Sequence, residues 1–153
     1  MLGERWLRRS DSFPKWQFRL LRRGRARFID SGHGQKEGEI DGTIGYIREP
    51  YLHYAFSKGW EAWWGKHEKY AAQEGADRAA RAPSLRHLFS RDPSRRNRAL
   101  KPLVSRLPGW PLLRFLHMYV LKGGFLEGRE GLTYSRNVAR YEAMIREKMA
   151  KEE

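Results

Sequence analysis

The stretch Lys122-Gly-Gly-Phe-Leu-Glu-Gly-Arg-Glu-Gly-Leu132 follows an apolar run and precedes a new helical pattern. Helix propensity disfavours so many glycines, so we expect unusual backbone dihedral angles there, or a close approach to another group. Glu127 and Glu130 lie three residues apart, a spacing that suits either a general acid and base or a carboxylate cluster facing a helix N-terminus. The second interpretation is favoured, because Glu130 stands near the start of the last predicted helix.

Helical periodicity extends from this stretch in both directions. Residues 132–149 place Tyr134, Tyr141 and Ile145 on one face. Residues 111–122 are apolar almost all round, and Pro111 suits a first helical turn. Within 51–82, apolar and aromatic residues recur every three or four positions, which predicts an amphipathic helix. The stripe consists of Phe56, Trp60, Trp63, Trp64, His67, Tyr70 and Ala71.

The remaining segments predict a small sheet and a connector. Runs at 16–21 and 26–29 flank a turn at Gly24 and predict a hairpin. A polar, glycine-rich loop at 31–38 and a third strand at 43–47 follow, and 83–110 reads as a basic connector. The expected fold class is α+β: a small antiparallel sheet within residues 1–50, followed by about three helices, all in one domain over 1–153.

Composition limits the class of protein. The 153 residues allow one domain with a real core, and 40% hydrophobic residues with six Trp exclude a disordered chain. The net charge of +13 attracts anionic partners such as lipid head groups, nucleotide phosphates or nucleic acid. The absence of Cys excludes disulfides, thiolate zinc sites and a cysteine nucleophile.

The sequence predicts a surface-bound rather than a membrane-spanning protein. The N-terminus has no signal-peptide pattern, and the best apolar run, 108–121, is too short to span a bilayer and contains Arg114. Arg106, Arg114 and Lys122 flank apolar residues, a composition expected for docking on anionic lipid. A core helix with solvated ends is the compatible alternative.

Two groups of polar residues precede residue 51. Arg19, with Gln17 beside it, has a planar guanidinium that suits phosphate, although Arg19 is equally compatible with an outward position on a hairpin strand. His33 lies between two glycines, where a neutral imidazole can bind a divalent metal. A surface-loop histidine is the simpler interpretation of the residues alone.

A third group, Lys66, His67 and Tyr70, falls on the predicted aromatic helix. Lys66 and Tyr70 are neighbours at i and i+4, and His67 lies on the side of Trp63. The pattern favours an amphipathic helix whose histidine is satisfied in the core over a catalytic role. Arg129 completes the set of candidates, in the glycine-rich stretch.

Three quoted segments together resemble the C-terminal part of bacterial family 2 glycosyltransferases of lipopolysaccharide-core and exopolysaccharide assembly. They are Lys122–Leu132, Trp63-Trp-Gly-Lys-His-Glu-Lys-Tyr70 and Phe13-Pro-Lys-Trp-Gln-Phe-Arg-Leu-Leu-Arg-Arg-Gly24. The sequence departs from the family where His33-Gly34 replaces the common His-Glu and where Glu127 replaces Asp.

The resemblance implies a GT-A fold and sugar transfer from a nucleotide sugar to a lipid-linked or polysaccharide acceptor. It implies that Arg19 and Gln17 contact the donor phosphates and that His33 helps to hold Mg²⁺ or Mn²⁺. Lys66, His67 and Tyr70 would border the acceptor, with Glu127 and Arg129 as acceptor-side or structural residues. The implied location is cytoplasmic, on the inner face of the plasma membrane.

The sequence contains no Asp-x-Asp, the acidic metal motif that family members carry in a Rossmann-like half. The chain is therefore expected to be inactive alone and to act with a separate polypeptide that carries the catalytic half. The alternative is a small basic protein that binds nucleic acid or a membrane surface. Nucleic acid is the less favoured partner, because the aromatic residues have core-like helical spacing and are not interleaved with basic residues on a strand.

Overall fold

The computed structural model describes residues 1–11, 13–31, 34–80 and 88–152. It is an α+β structure in which one antiparallel pair of strands precedes the helices, so the predicted fold class is confirmed. The elements are strands β1 (Ala26–Ser31) and β2 (Gly34–Ile40), and helices α1 (Gly59–Ala80), α2 (Pro93–Arg106), α3 (Trp110–Leu116) and α4 (Gly128–Glu152). A π-helical segment, His117–Leu121, extends α3, and a 3₁₀ turn, Gly124–Glu127, precedes α4.

One of the three predicted strands is confirmed, since the run 26–29 lies within β1. β1 pairs with β2, with Phe28 opposite Glu37 and Ile29 opposite Lys36. β2 includes residues 34–38 of the predicted loop, whereas 16–21 and 43–47, predicted as strands, have no regular secondary structure. The error arose because β2 contains a single large apolar residue, so its strand is set by backbone pairing with β1 and not by its own side chains.

Two helical boundaries also differ from prediction. The aromatic helix begins at Gly59, so residues 51–58 form an irregular segment ahead of it. The predicted basic connector contains α2, whose Ala99 and Ser105 are buried. Burial of these small residues stabilises a helix that its many arginines and internal Pro102 did not suggest.

The hydrophobic core lies where α1 crosses α4. Ala71, Ile145 and Met149 are buried there, with Tyr141 and Met144 packed against them. Gly75 permits the close approach, because a Cβ at this position would stand 2.8 Å from the Cβ of Lys148. Burying side chains such as Ile145 and Met149 contributes about 1.5–3 kcal/mol each.

A buried ionic network joins the four helices beside this core. The Arg78 side chain is 4% exposed and donates to Glu74 of α1 at 2.6 Å, to Glu142 of α4 at 2.8 Å and to Ser105 of α2. The indole nitrogen of Trp110 in α3 donates to Glu142 at 3.0 Å. Burial alone would lower the pKa of Arg78, but the two carboxylates outweigh it and raise the pKa.

The glycine-rich stretch has the unusual backbone that its composition predicts. Gly123 and Gly128 have φ of 71° and 67°, in the left-handed region that favours glycine. Gly131 lies against the 3₁₀ turn so closely that a Cβ would stand 2.0 Å from the carbonyl oxygen of Gly124. The stretch is therefore a compact corner between the π-helical segment and α4.

None of the helices in the described part of the chain is both long enough and apolar enough to cross a membrane.

Candidate functional site

A cleft of about 770 Å³ lies between the N-terminal segment, residues 50–58 and the start of α1. Two stretches of chain that are distant in sequence contribute to it, one within residues 1–17 and one within residues 50–67, and Tyr134 of α4 also lines it. The lining side chains that matter chemically are Trp6, Asp11, Phe13, Lys15, Gln17, Tyr51, Tyr54, Phe56, Lys58, Trp63, Lys66, His67 and Tyr134. The cleft therefore combines aromatic surfaces with three lysines and one carboxylate.

Aromatic rings form both walls of the cleft. On one wall Trp6 and Phe13 meet edge to face, with centroids 4.9 Å apart, and the Arg8 guanidinium covers the Trp6 ring. On the other wall Trp63 stacks between Phe56, at 5.3 Å, and His67, at 3.5 Å. Such packed rings are rigid, so the aromatic walls are preorganised to receive a flat ligand face.

His67 is oriented by its own helix. Its Nδ1 lies 2.8 Å from the carbonyl oxygen of Trp63. Because a carbonyl oxygen only accepts, Nδ1 carries a proton in this contact. The ring also meets Tyr70 and Tyr141 edge-on, at 5.6 and 5.4 Å. The ring of His67 is thus hydrogen-bonded as the sequence predicted, but it is only partly buried and lines the cleft, and it is not part of the core.

Charged groups gather at the Tyr134 end of the cleft. The Tyr134 hydroxyl donates to Asp11, which is 3.4 Å from the Lys15 ammonium. Burial, followed by Asp11, raises the pKa of Tyr134, so the phenol stays protonated and acts as a hydrogen-bond donor.

Lys122 and Arg114 extend this charged group. Burial and the Arg114 charge lower the pKa of Lys122, while Asp11 opposes the shift and Lys15 adds to it. The Arg114 Nε is buried and has no hydrogen-bond partner among the described residues. Several cations with one shared carboxylate form a region suited to a phosphate group.

Gln17 and Arg19 form a small cluster with Tyr51 at the cleft wall. Arg19 donates to the Gln17 side-chain oxygen at 2.6 Å and to the Tyr51 hydroxyl at 3.2 Å. The Tyr51 hydroxyl in turn donates to Gln17. Gln17 and Tyr51 line the cleft. Arg19 is not part of the lining and donates a hydrogen bond to each of them.

The structure brings together only some of the predicted site residues. Gln17, Lys66 and His67 share the cleft, Arg19 contacts its wall, and the Lys66 ammonium lies over the ring of Tyr70 at 5.5 Å. Arg129 is exposed at the start of α4, away from the cleft lining. His33, the predicted metal ligand, lies outside the described residues.

Glu127 has a role that neither sequence interpretation anticipated. Its carboxylate is 5% exposed and accepts from the backbone N–H groups of Arg8, Arg9 and Ser10 at 2.5, 2.7 and 2.9 Å, and from the Ser10 hydroxyl. Burial opposes ionisation, but these donors outweigh it and lower the pKa. The ionised carboxylate therefore anchors the N-terminal segment through these hydrogen bonds, which is a structural role.

The described residues contain no cluster of three or more His, Asp or Glu side chains that could hold a metal ion. The single carboxylate in the cleft, Asp11, is already bound to Lys15 and Tyr134. The described lining of the cleft therefore offers one carboxylate, and a divalent cation needs further oxygen ligands.

Sequence reasoning missed several cleft residues, namely Trp6, Asp11, Lys15 and Tyr134. Tyr134 was assigned to the core face of the last helix, and residues 51–58 to the aromatic helix. Pro50 and Gly59, which bound this segment, are the signal that could have separated it from the helix, because Gly59 has a positive φ at the helix start.

No family model matches the chain, and neither a curated protein nor a solved structure matches it significantly.

Proposed function

We propose that this chain is the C-terminal part of a family 2 glycosyltransferase of bacterial surface-glycan assembly. In this proposal it works with a catalytic half that moves a sugar from a nucleotide sugar to a lipid-linked or polysaccharide acceptor. One observation carries the proposal: the cleft unites Gln17, assigned to the donor side, with Lys66 and His67, assigned to the acceptor side. These residues come from segments of the sequence that are about fifty positions apart.

The chemistry of the cleft supports a phosphorylated glycan as the ligand. Sugar rings present C–H faces that pack on exposed aromatic rings of the lining such as Tyr54, which is 51% exposed, while hydroxyls find partners at Gln17 and Tyr51. Lys15, Lys58 and Lys66 supply positive charge along the same cleft. A diphosphate placed at the Lys15 end would gain charge-assisted hydrogen bonds.

The exposed N-terminal part supports the proposed catalytic partner. Residues 13–54 expose large apolar side chains on and around a sheet of only two strands. Examples are Trp16, Leu20 and Tyr46, at 58%, 74% and 69% exposure. A surface of this kind marks a protein contact. In the proposal a Rossmann-like half covers it and contributes the acids that hold Mg²⁺ or Mn²⁺, with His33 assisting.

Tryptophan fluorescence provides the test, since Trp6 and Trp63 line the cleft. Titration of the full chain with a short-chain polyprenyl diphosphate sugar should give saturable quenching. Lys66→Ala should weaken binding about tenfold, the usual loss for one charge-assisted hydrogen bond. Lys69→Ala, an exposed lysine on the same helix outside the cleft, is the matched control and should bind like the unaltered chain.

The opposite outcome would favour the alternative class. A single-stranded oligonucleotide that binds with steep salt dependence, equally well in the Lys66→Ala and Lys69→Ala variants, would indicate a basic nucleic-acid-binding protein. If both variants lose affinity for the glycan probe equally, the cleft is not the glycan-binding site.

A further inference from the structure

Several large apolar side chains are exposed along α3 and the two segments that follow it. We call this surface the apolar face, and define it by seven exposed residues of α3, the π-helical segment and the 3₁₀ turn. They are Leu112, Leu113, Leu116, Val120, Leu121, Phe125 and Leu126. Each is at least 42% exposed, and Leu121 reaches 79%. Exposed apolar side chains grouped in this way mark a contact with a partner or a membrane.

Helical geometry explains why these residues share one side. Leu112, Leu116 and Val120 are separated by four positions, so they form one row along the helix. Met118 points to the opposite side and is buried at 3% exposure, where this helix packs on α4. The inward side is therefore already occupied, and the outward row is a second apolar surface beyond what the core requires.

Basic residues border the apolar face, and two of them arrive from the other end of the chain. The Arg5 guanidinium donates to the carbonyl oxygen of Leu126 at 3.3 Å. The Arg9 guanidinium lies 3.3 Å from the position that a Cβ on Gly123 would occupy. Glu127 fixes this arrangement, because its carboxylate holds the backbone of residues 8–10.

Lys122 completes the basic border from within the helical corner, directly after Leu121. The acidic residues nearby do not cancel these charges. Glu127 is buried under the N-terminal segment, Asp11 is bound to Lys15 and Tyr134, and Glu130 is partly buried in α4. The apolar face thus has a net positive border, within a chain of net charge +13.

We propose that the apolar face is the docking surface for an anionic lipid bilayer, with Arg5, Arg9 and Lys122 contacting the head groups. A short helix with an apolar outer row and a cationic border is suited to lying in the plane of a membrane interface, with its side chains about 5–10 Å deep. Charge complementarity favours this occupant, because anionic leaflets attract each nearby Lys or Arg.

This inference goes beyond the proposed glycan cleft, since the apolar face and the cleft share no lining side chain. Lipid binding should therefore persist in Lys66→Ala, and glycan-probe binding in solution should persist in the apolar-face variant. Loss of lipid binding with glycan binding retained would therefore contradict only the lipid proposal, and the reverse result would contradict only the glycan proposal.

Co-sedimentation of the full chain with phosphatidylcholine vesicles, with and without phosphatidylglycerol, tests the apolar contribution. Leu121→Glu should reduce partitioning onto the anionic vesicles at least tenfold. The reason is that an apolar side chain that inserts into the bilayer is replaced by a negative charge that the anionic membrane repels. Leu20→Glu is the matched control: Leu20 is 74% exposed, close to the 79% of Leu121, but lies outside the apolar face. Leu20→Glu should partition like the unaltered chain.

A double variant, Arg5→Gln with Lys122→Gln, tests the basic border. The control is Arg22→Gln with Arg23→Gln, which removes the same amount of positive charge from an exposed turn. The first pair should weaken binding about tenfold or more and reduce its salt sensitivity, and the second much less. The proposal is overturned if the chain does not bind anionic vesicles, or if Leu121→Glu and Leu20→Glu reduce binding equally. Equal losses in the two charge pairs would overturn the assigned border.

Discussion

The helical part of the molecule, residues 59–80 and 93–152, differs sharply from residues 13–58. In the helical part, Ile145 and Met149 are at most 2% exposed and the buried Arg78 has partners on three helices. In residues 13–58, Trp16, Leu20 and Tyr46 are more than half exposed. One part has its own core, and the other displays apolar side chains on an irregular chain and a two-stranded sheet.

The difference indicates how the two parts are stabilised. A two-stranded sheet is marginally stable by itself, so the stability of this chain comes from the crossing of α1 and α4. Residues 13–58 contribute cleft residues and exposed apolar side chains in place of a core. Mutations in the helical part should therefore alter folding, and mutations in the exposed part should leave folding almost unchanged.

The largest effect is expected from Arg78→Ala. Removing this guanidinium leaves Glu74 and Glu142 as buried charges without their principal partner, and breaking a buried pair in this way costs about 3–5 kcal/mol. Urea denaturation monitored by circular dichroism measures it. The control is Arg95→Ala on α2, whose side chain is 71% exposed and which should change stability by about 0.5 kcal/mol or less. Equal effects in the two variants would contradict the buried network.

Glu127→Gln should cost about 2–3 kcal/mol, because a charged acceptor of four hydrogen bonds becomes neutral. The folded-state pKa of Glu127 lies below its usual value, so its contribution is fully present above the ordinary pKa of about 4.3. The contribution is lost as pH falls from there through the lowered folded pKa. Stability measured between neutral and acidic pH should therefore fall less steeply in the variant. An unchanged slope would remove Glu127 as an anchor.

Gly75→Ala should destabilise the protein by about 1–2 kcal/mol, since the added methyl must displace Lys148 or separate α1 from α4. Gly65→Ala on the same helix meets no atom within 4 Å and should stabilise it by about 0.5–1 kcal/mol. Thermal melts of the two variants should shift in opposite directions. Melting-temperature shifts of the same sign would contradict the close packing of α1 against α4 at Gly75.

The smallest effect is expected from Tyr46→Ser, in the exposed part. Tyr46 is 69% exposed and meets Trp16 edge to face at 5.0 Å. Its loss from the chain alone should change the free energy of unfolding by about 0.5 kcal/mol or less. A decrease in the free energy of unfolding of more than about 2 kcal/mol, on the scale of a core substitution, would mean that residues 13–58 have a core of their own. That result would contradict the contrast between the two parts.

The sequence predicted the helices better than the strands for physical reasons. The periodic apolar positions of α4 and the glycines before it are local signals, and both were confirmed. β2 carries mainly polar residues and forms through its pairing with β1, which no local pattern reveals. α2 was not predicted, because its sequence is rich in charged residues. Its buried residues Ala99 and Ser105 are small, and their burial depends on neighbouring helices.

The candidate site was only half predictable for a related reason. Lys66 and Tyr70 are neighbours at i and i+4 on a periodic helix and His67 lies on the side of Trp63, so these positions could be read from the sequence. Asp11 and Tyr134, which are 123 positions apart, meet only because Glu127 anchors the N-terminal segment beside α4. Long-range contacts made through an irregular segment leave no periodic pattern.

The most direct test of the glycan cleft is the spectrum of the six tryptophan indole N–H groups during titration with the polyprenyl diphosphate sugar. Trp6 and Trp63 line the cleft, whereas Trp64 lies under Arg140 and Trp110 is bound to Glu142. We predict saturable shifts of the Trp6 and Trp63 resonances, with those of Trp64 and Trp110 unmoved. Shifts confined to Trp64 or Trp110, or no shift at any indole, would contradict the assignment of the cleft as the glycan site.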